Sequence, residues 1–178
     1  MSDPTGTANG DALVPMTVAQ SRARLAHVMQ ISDTNIHGNI HGGVIMKLVD
    51  EAAGACAQRH CRGGRAVTVA MDEMVLRVPV HVGDLVTAYA SVNGTGSTSM
   101  EIGVRVTSER FDGSVTAPEH VASAYLVFVA IDADERPVPV APVIPESAED
   151  RRRFTEARIR RESRLARRTA ILASRDGA

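Results

Sequence analysis

A predicted helix that begins at Gly42 carries residue types suited to attack on a carbonyl group. Gly42 and Gly43 lie in its first turn, where unpaired backbone N–H groups and the positive end of the helix dipole could stabilise an oxyanion. Asp50 lies among apolar and small residues of the same helix, where an unpaired carboxylate is costly. It could act as general base for a water molecule, or attack directly to form an anhydride. Asn39 could orient the water or the carbonyl, because its amide both donates and accepts hydrogen bonds.

The spacing within this helix predicts a site shared between two chains. Asp50 follows Gly43 by seven residues, which corresponds to ~10 Å along a helix axis. A general base must lie within hydrogen-bonding distance of its water molecule. We therefore predict that Asn39, Gly42 and Gly43 of one chain form a site with Asp50 of a second chain.

Each of these residues also has a purely structural interpretation. Gly42 and Gly43 suit a tight junction between a loop and a helix, and Asn39 suits an Asx turn that leads into the helix. Asp50 could pair with a nearby arginine, or lie at the rim of the helix beside an exposed Glu51. The residue types alone leave these alternatives open.

Two groups of potential metal ligands give weaker signals. His37, His41 and Asp50 come partly from a glycine-rich loop, which lacks the helical backbone that would fix the spacing of the two histidines. Buried cysteine near a helix end is far commoner than a metal site there. The second group lies at such an end and consists of Cys56, His60 and Cys61. We predict no metal and no cofactor, and no serine or cysteine lies in a recognisable nucleophile motif.

The periodicity of the sequence predicts the elements that position these residues. The helix is apolar or small around most of its circumference, which is typical of a buried helix, and Gly63 and Gly64 suit a left-handed C-terminal cap. Turns at 79–84, 93–96 and 110–113 join alternating segments in hairpin succession, which favours an antiparallel sheet. The predicted strands cover 20–30, 66–78, 85–92, 97–107 and 120–131, and the predicted helices cover 42–61 and 146–173.

A sheet has to curl around a helix that offers no polar face to water. This order of elements therefore predicts an α+β hotdog fold, with an antiparallel sheet wrapped around a long central helix and a charged C-terminal helix. We divide the chain into a flexible N-terminal segment (1–17), the hotdog domain (18–140), and a proline-rich linker with an arginine-rich helix (141–178).

Composition limits the class of protein further. The chain has 178 residues, two cysteines and no tryptophan, and its first residues do not resemble a secretory signal. We expect a cytoplasmic protein that neither crosses a membrane nor stacks nucleic-acid bases on aromatic side chains. The formal net charge is −1, but the segment from Ser147 onward has ten arginines and five acidic residues. That basic segment could be a solvated helix or a surface for a small anion.

Three stretches carry a family resemblance, namely 33–54, 77–84 with 98–101, and 127–132. The first contains the Asn-x-x-Gly-Asn-x-x-Gly-Gly pattern, followed by Asp50 at the helical junction. The chain resembles the hotdog acyl-CoA thioesterases over roughly 22–145, and the segment from Glu146 resembles the C-terminal extension of bacterial members. It departs from many members at Leu76, where they have Phe, and at Ser97, where an arginine often precedes Thr-Ser.

The resemblance implies metal-free hydrolysis of fatty acyl-CoA by dimers that often assemble into hexamers as trimers of dimers. It implies an Asn or Asp at the position of Asn39 and an acid at Asp50, contributed by opposite subunits. Residues predicted to bind the substrate are His41, Thr98, Ser99, Arg59 and Arg65, although the spacing does not single out the arginines that contact the CoA phosphates. The alternatives are a CoA-binding or regulatory protein without activity, and an enoyl-CoA hydratase that uses His37 or His41.

Overall fold

The computed structural model describes residues 13–111 and 117–176. Most of the predicted flexible N-terminal segment and part of the predicted turn at 110–113 lie outside these residues. The elements are, in order, β1 (Met16–Thr17), α1 (Val18–Ser21), β2 (Ala23–Val28), α2 (Gly42–His60), β3 (Arg65–Leu76), β4 (Leu85–Thr95), β5 (Ser99–Glu109), β6 (Glu119–Ile131), β7 (Val143–Ile144) and α3 (Ala148–Asp176). This is the predicted α+β hotdog architecture of a curved antiparallel sheet around a long central helix, with a C-terminal helix.

The large sheet has five antiparallel strands in the order β2-β4-β5-β6-β3. The prediction of strands in simple hairpin succession is therefore wrong for β3, which pairs with β6 instead of β4. Hairpins join only β4 to β5 and β5 to β6. The connection from β3 to β4 crosses the sheet although it is short, and β3 becomes an edge strand. Separately, β1 pairs in parallel with β7, so Met16 and Thr17, at the end of the predicted flexible segment, are ordered in the fold.

Helix α2 packs against the concave face of the sheet, as its apolar pattern predicts. Ile45, Val49, Ala52 and Cys56 are buried against the inward residues of the sheet. The prediction that the helix has no exposed face is wrong, because one side of it is open to solvent in the chain. That exposed side carries Met46, Lys47, Asp50, Glu51 and Gln58. The helix ends at His60 with Cys61 as its C-cap. Arg62 (φ 49°) and Gly63 (φ 91°) both follow in the left-handed region, so the predicted left-handed termination is present but begins one residue before the glycines.

The predicted turn at Asn93–Gly96 is also wrong, because β4 continues to Thr95. A register shift between Val92 and Gly94 marks a β-bulge that places Asn93 in the strand. There the Asn93 side chain is buried and donates a hydrogen bond to Glu101 at 3.2 Å. The local composition was that of a turn, but the buried acceptor on β5 keeps the chain extended.

Helix α3 crosses the outer face of the sheet instead of standing free in solvent. Arg160 donates to the buried carboxylate of Glu101 at 2.7 Å and lies over the ring of Tyr125. Glu149 and Arg153, four residues apart on α3, form an ion pair at 2.7 Å. Glu156 and Arg160 have the same spacing but do not pair, because Arg160 turns toward the sheet. Glu156 pairs with Arg152 instead. No helix of the described residues has the length and hydropathy needed to cross a membrane.

The buried His60 gives the fold a predictable pH dependence. Its ring contacts the carbonyl oxygen of Ala141 at 2.9 Å, and burial lowers its pKa from the ordinary value. Below about pH 6.5 the histidine is protonated in the unfolded chain but stays neutral in the folded chain. The contribution of buried neutral His60 to the free energy of unfolding is therefore fully present above about pH 6.5 and falls as the pH drops below it. We expect the free energy of unfolding in urea to decrease from pH 7.5 to 5.5. The decrease should be smaller in His60→Gln, which keeps a donor for Ala141, and an equal decrease in both proteins would contradict this account.

Candidate active site

A cleft of about 350 Å³ lies where the loop before α2 meets the N-terminus of that helix. Its polar wall contains Asn35 and Asn39, and Gly42 lies at its base. The backbones of the two asparagines are paired, because Thr34 and Ile40 form an antiparallel bridge with Gly38 in the left-handed conformation between them. The rest of the wall is largely apolar and comes from Ile40, Ile45, Leu76, Val78, Pro79, Val80 and Val121, with Arg77 at one side.

The two predicted oxyanion donors are not equivalent in the structure. His41 is the N-cap of α2, and its Nδ1 accepts a hydrogen bond from Gly43 N–H at 2.9 Å. Gly42 N–H has no acceptor among residues 13–111 and 117–176. A side chain at Gly42 would bring its Cβ within 3.1 Å of Leu76 Cδ1, so glycine keeps this corner of the cleft open. Gly42 therefore offers a free donor at the cleft, whereas Gly43 stabilises the helix start through His41.

Asn35 is a polar residue of the cleft that sequence reasoning missed. Its Oδ1 accepts a hydrogen bond from the backbone N–H of His37 at 2.8 Å, which makes it the residue of the Asx turn expected at Asn39. This contact fixes the orientation of the amide and leaves the Nδ2 hydrogens as donors. The backbone N–H of Asn35 also bonds the carbonyl of Asn39 at 2.8 Å. The Asn-x-x-Gly-Asn pattern contains both residues, but only the folded loop shows which one has a restrained amide.

Asp50 does not line this cleft within its own chain. Its carboxylate lies on the exposed side of α2 and accepts a hydrogen bond from Thr68 Oγ1 on β3 at 2.8 Å. The expectation of a carboxylate buried within one chain is therefore wrong. Gly42 lies eight residues earlier on the same helix, which is ~12 Å along the axis. Thr68 is a second residue missed from the sequence, because a threonine in a strand is ordinary.

Four of the residues predicted to bind the substrate lie away from the cleft of their own chain. Arg59 donates to the backbone oxygen of Arg22, whereas Arg65 faces Glu135 at 3.9 Å. Ser99 is the first residue of β5 and Thr98 precedes it, and neither lines the cleft. The structure therefore brings none of these four residues to the cleft of their own chain. The structure does place Arg161 of α3 at the loop before β5, where its guanidinium lies beside Gly96 and Ser99.

The two cysteines lack the properties of nucleophiles. Burial raises the pKa of the Cys56 thiol to about 12 and also raises the pKa of Cys61. Both remain protonated near neutral pH, and a thiol is a far weaker nucleophile than a thiolate. Within the described ranges, no three His, Cys, Asp or Glu side chains come together as possible metal ligands.

Comparison with known sequences identifies the family. A family model described as the thioesterase superfamily matches residues 37–110. The chain is 37% identical over 118 residues to an uncharacterized acyl-CoA thioester hydrolase, YkhA, of Bacillus subtilis, a match that covers 66% of this chain and 67% of that protein. The chain belongs to the hotdog acyl-CoA thioesterase family. It is also 33% identical over 156 residues to the cytosolic acyl coenzyme A thioester hydrolase of Rattus norvegicus, covering 84% of this chain but only 41% of that protein.

Solved structures agree with this family assignment. One is an Asn-to-Ala variant of acyl-CoA hydrolase from Staphylococcus aureus in complex with coenzyme A. It superposes on this thioesterase-family chain with a TM-score of 0.84 and is 28% identical to it in sequence. The match covers 91% of this chain and 95% of that chain. An apo-hexameric acyl-CoA thioesterase superposes with a TM-score of 0.82 and is 31% identical in sequence. That match covers 87% of this chain and 97% of the thioesterase chain. Structures of the S. aureus enzyme also exist with an Asp-to-Ala and a Thr-to-Ala substitution.

Proposed function

We propose that the protein hydrolyses acyl-CoA thioesters to a carboxylic acid and free CoA. The observation that carries this proposal is the cleft, whose lining combines Gly42, with a free N–H, and Asn35 with a largely apolar wall. Such a wall suits an acyl chain, and two donors in one cleft suit the oxygen of a thioester carbonyl. Family membership supports the reaction class, and the CoA complex of the S. aureus relative supports the class of ligand.

The positions substituted in the S. aureus relative support particular residues. Its substituted asparagine precedes its substituted aspartate by fifteen residues, which is the separation of Asn35 and Asp50 here. Asn39, by contrast, precedes Asp50 by eleven residues. The substituted threonine follows that aspartate by seventeen residues, and Thr68 follows Asp50 by eighteen. We assign the polar role in the cleft to Asn35, and Asn39 stays a sequence-based candidate for it.

The chemistry follows from these groups. Asp50, held by Thr68, removes a proton from a water molecule, whose oxygen attacks the thioester carbonyl carbon. The resulting oxyanion accepts hydrogen bonds from Gly42 N–H and Asn35 Nδ2, and each such donor is worth ~3–4 kcal/mol in known enzymes. The intermediate then collapses, the C–S bond breaks, and Asp50 returns its proton to the leaving sulfur. CoA is a good leaving group because a thiol has a pKa of about 8.5.

The exposed surface around Asp50 supports a site that is shared between two copies. Edge strand β3 exposes an apolar row, consisting of Val67, Val69, Met71, Val75 and Leu76, and Met46 of α2 is also exposed. A long apolar edge strand is a template for pairing with another chain. A second copy seated on β3 would cover Asp50 and Thr68 and could bring them to the neighbouring cleft. The hexameric relative makes a trimer of such dimers the assembly we propose.

The remaining predicted contacts fit a substrate that extends away from the cleft. Arg59 is ~25 Å from Gly42 along α2, and Arg65, Thr98 and Ser99 do not line the cleft of their own chain. Any contact of these residues with CoA would therefore come from another subunit. His41 does not line the cleft of its own chain, and its Nδ1 is occupied as the helix cap. That contact also counts against His41 as the acid–base group of a hydratase.

A panel of acyl-CoA substrates of different chain length tests the proposal. We expect release of free thiol, measured with a chromogenic thiol reagent, for at least one chain length, and no hydration of crotonyl-CoA in an absorbance assay. Binding of CoA without turnover of any substrate in the panel would instead indicate a CoA-binding protein.

A further inference from the structure

Leu76, the last residue of β3, limits the space at the base of the cleft. A methyl-sized Cβ placed on Gly42 would lie 3.1 Å from Leu76 Cδ1, which is closer than an ordinary van der Waals contact. Apart from the chain neighbours of Gly42 and the backbone of its own helix, no other heavy atom of the described chain lies within 4 Å of that point. The corner of the cleft beside the Gly42 backbone therefore owes its size to the Leu76 side chain.

The strand that carries Leu76 fixes its position. Leu76 is the register partner of Ala122 on β6, and the N–H of Arg77 donates to the carbonyl oxygen of Val121 at 2.8 Å. About half of the Leu76 residue is exposed (49%), whereas Ile45 and Val121 of the same wall are buried. Buried side chains in a close-packed interior cannot move aside without repacking their neighbours. A substitution at Leu76 therefore changes the shape of the cleft without opening the core.

The proposed position of the thioester brings the start of the acyl chain to this corner. A donor of an oxyanion hole holds the carbonyl oxygen ~2.7–3.1 Å from its nitrogen. The acyl carbon bonded to the carbonyl, which we call carbon 2, is two bonds from that oxygen and therefore stays close to the Gly42 N–H. Carbons farther along the chain can follow the apolar wall away from Gly42. We therefore expect Leu76 to contact the start of the acyl chain and not its end.

We propose that Leu76 is a specificity-determining residue that excludes acyl groups with a branch at carbon 2. The inference rests on the proposed thioester hydrolysis and names the class of acyl group that the same site accepts, namely straight-chain acyl groups. A methyl group on carbon 2 needs space in the corner that Leu76 Cδ1 already borders. One extra carbon in a filled apolar pocket lowers kcat/KM by roughly 10–200-fold in known enzymes.

Pairs of isomeric acyl-CoA substrates test this proposal, because the two members of a pair differ only in the branch. One pair is butyryl-CoA and isobutyryl-CoA. The other has the chain length that the substrate panel prefers, and its branched member has the same number of carbons with a methyl group on carbon 2. For the wild type we expect kcat/KM, measured by thiol release, to be at least about tenfold higher for the straight member than for the branched member.

Leu76→Ala should lower this ratio of kcat/KM values at least about fivefold, because the space left by the larger side chain admits the branch. The ratio is taken within one preparation, so it does not depend on the fraction of molecules that is folded. Leu76→Met keeps a side chain of similar volume and should leave the ratio within about twofold of the wild type. Val75→Ala is the matched control, since Val75 is the neighbouring exposed apolar residue of β3 and does not line the cleft. It should leave the ratio unchanged.

Three results would overturn the proposal. The first is equal kcat/KM of the wild type for the two members of each pair. The second is an unchanged ratio in Leu76→Ala, including the case in which both members lose activity equally. The third is the same change of the ratio in Val75→Ala, since the effect would then come from β3 as a whole. Failure of the proposed function gives a different result, because no acyl-CoA of any chain length would release thiol. That result would reject the hydrolysis and this inference together, whereas thiol release with an unchanged ratio would reject the inference alone.

Discussion

Replacing Asp50 by Asn is expected to lower kcat for acyl-CoA hydrolysis by about 10²–10⁴-fold, the usual contribution of a general base. The asparagine keeps an oxygen that can accept the hydrogen bond from Thr68 Oγ1, so the local structure is retained. It cannot take a proton from water, so the chemical step is lost. KM should change by only a few-fold, because Asp50 is proposed to act in the chemical step and not in binding CoA. Steady-state kinetics with the preferred chain length measures both parameters.

Two variants serve as controls for this prediction. Glu51→Gln removes the neighbouring exposed carboxylate, whose one ion pair within residues 13–111 and 117–176 is with Lys47 at 3.8 Å, and should leave kcat unchanged. Thr68→Val removes the hydroxyl that positions Asp50 and should cost about tenfold in kcat, in line with loss of one charge-assisted hydrogen bond. If Asp50→Asn retained more than a tenth of the wild-type kcat, Asp50 would not be the general base.

Mixing two inactive variants should restore activity if each site draws residues from two chains. Chains with Asn35→Ala would lack the donor in the cleft, and chains with Asp50→Ala would lack the base. After dissociation and random reassociation, half of the dimers are mixed and each mixed dimer has one intact site. We therefore expect about a quarter of the wild-type activity per chain, given a two-fold symmetric dimer. Thiol release after reassembly measures the recovery, and native mass spectrometry verifies mixing.

The double variant Asn35→Ala/Asp50→Ala should lower activity on mixing instead of restoring it. When it is mixed with wild-type chains, every mixed dimer has one defect in each site, so activity should fall from about a half to about a quarter of the all-wild-type value. Repeating the first experiment with Asn39→Ala decides between the two asparagines, because only the residue that acts at the site gives an inactive parent. Absence of recovery in verified mixed dimers would show that each chain carries its own complete site.

The local elements of the fold could be predicted because they depend on neighbouring residues. Helix α2 begins at Gly42 and ends close to the predicted position, since its apolar period and the glycines that follow it are local signals. The order of strands could not be predicted, because the length of the connection from β3 to β4 fits a hairpin as well as it fits a crossing of the sheet. The bulge at Asn93 depends on a buried contact with Glu101 on β5, and the sequence alone does not show that these two side chains meet.

Some residues of the candidate site could likewise be found from the sequence, and others could not. Asp50 and Gly42 stood out because their residue types are unusual for their places in a helix. Thr68 could not be found, because its role comes from a contact across 18 residues that only the packing of β3 on α2 creates. Asn35 and Asn39 occur in one motif, and the hydrogen bond from His37 N–H distinguishes them. The exposure of Asp50 also depends on tertiary packing, since the helical pattern alone suggests that the residue is buried.

Helix α3 also reaches the edge strand that carries Thr68. Arg164 and Arg167 contact the carboxylate of Asp72, on β3, at 2.7 and 3.4 Å. A segment more than ninety residues later in the chain therefore braces the strand that orients the proposed catalytic base. Helix α3 is then part of the framework that supports the proposed site, and a protease that removed it would loosen that site without touching any group to which we assign chemistry.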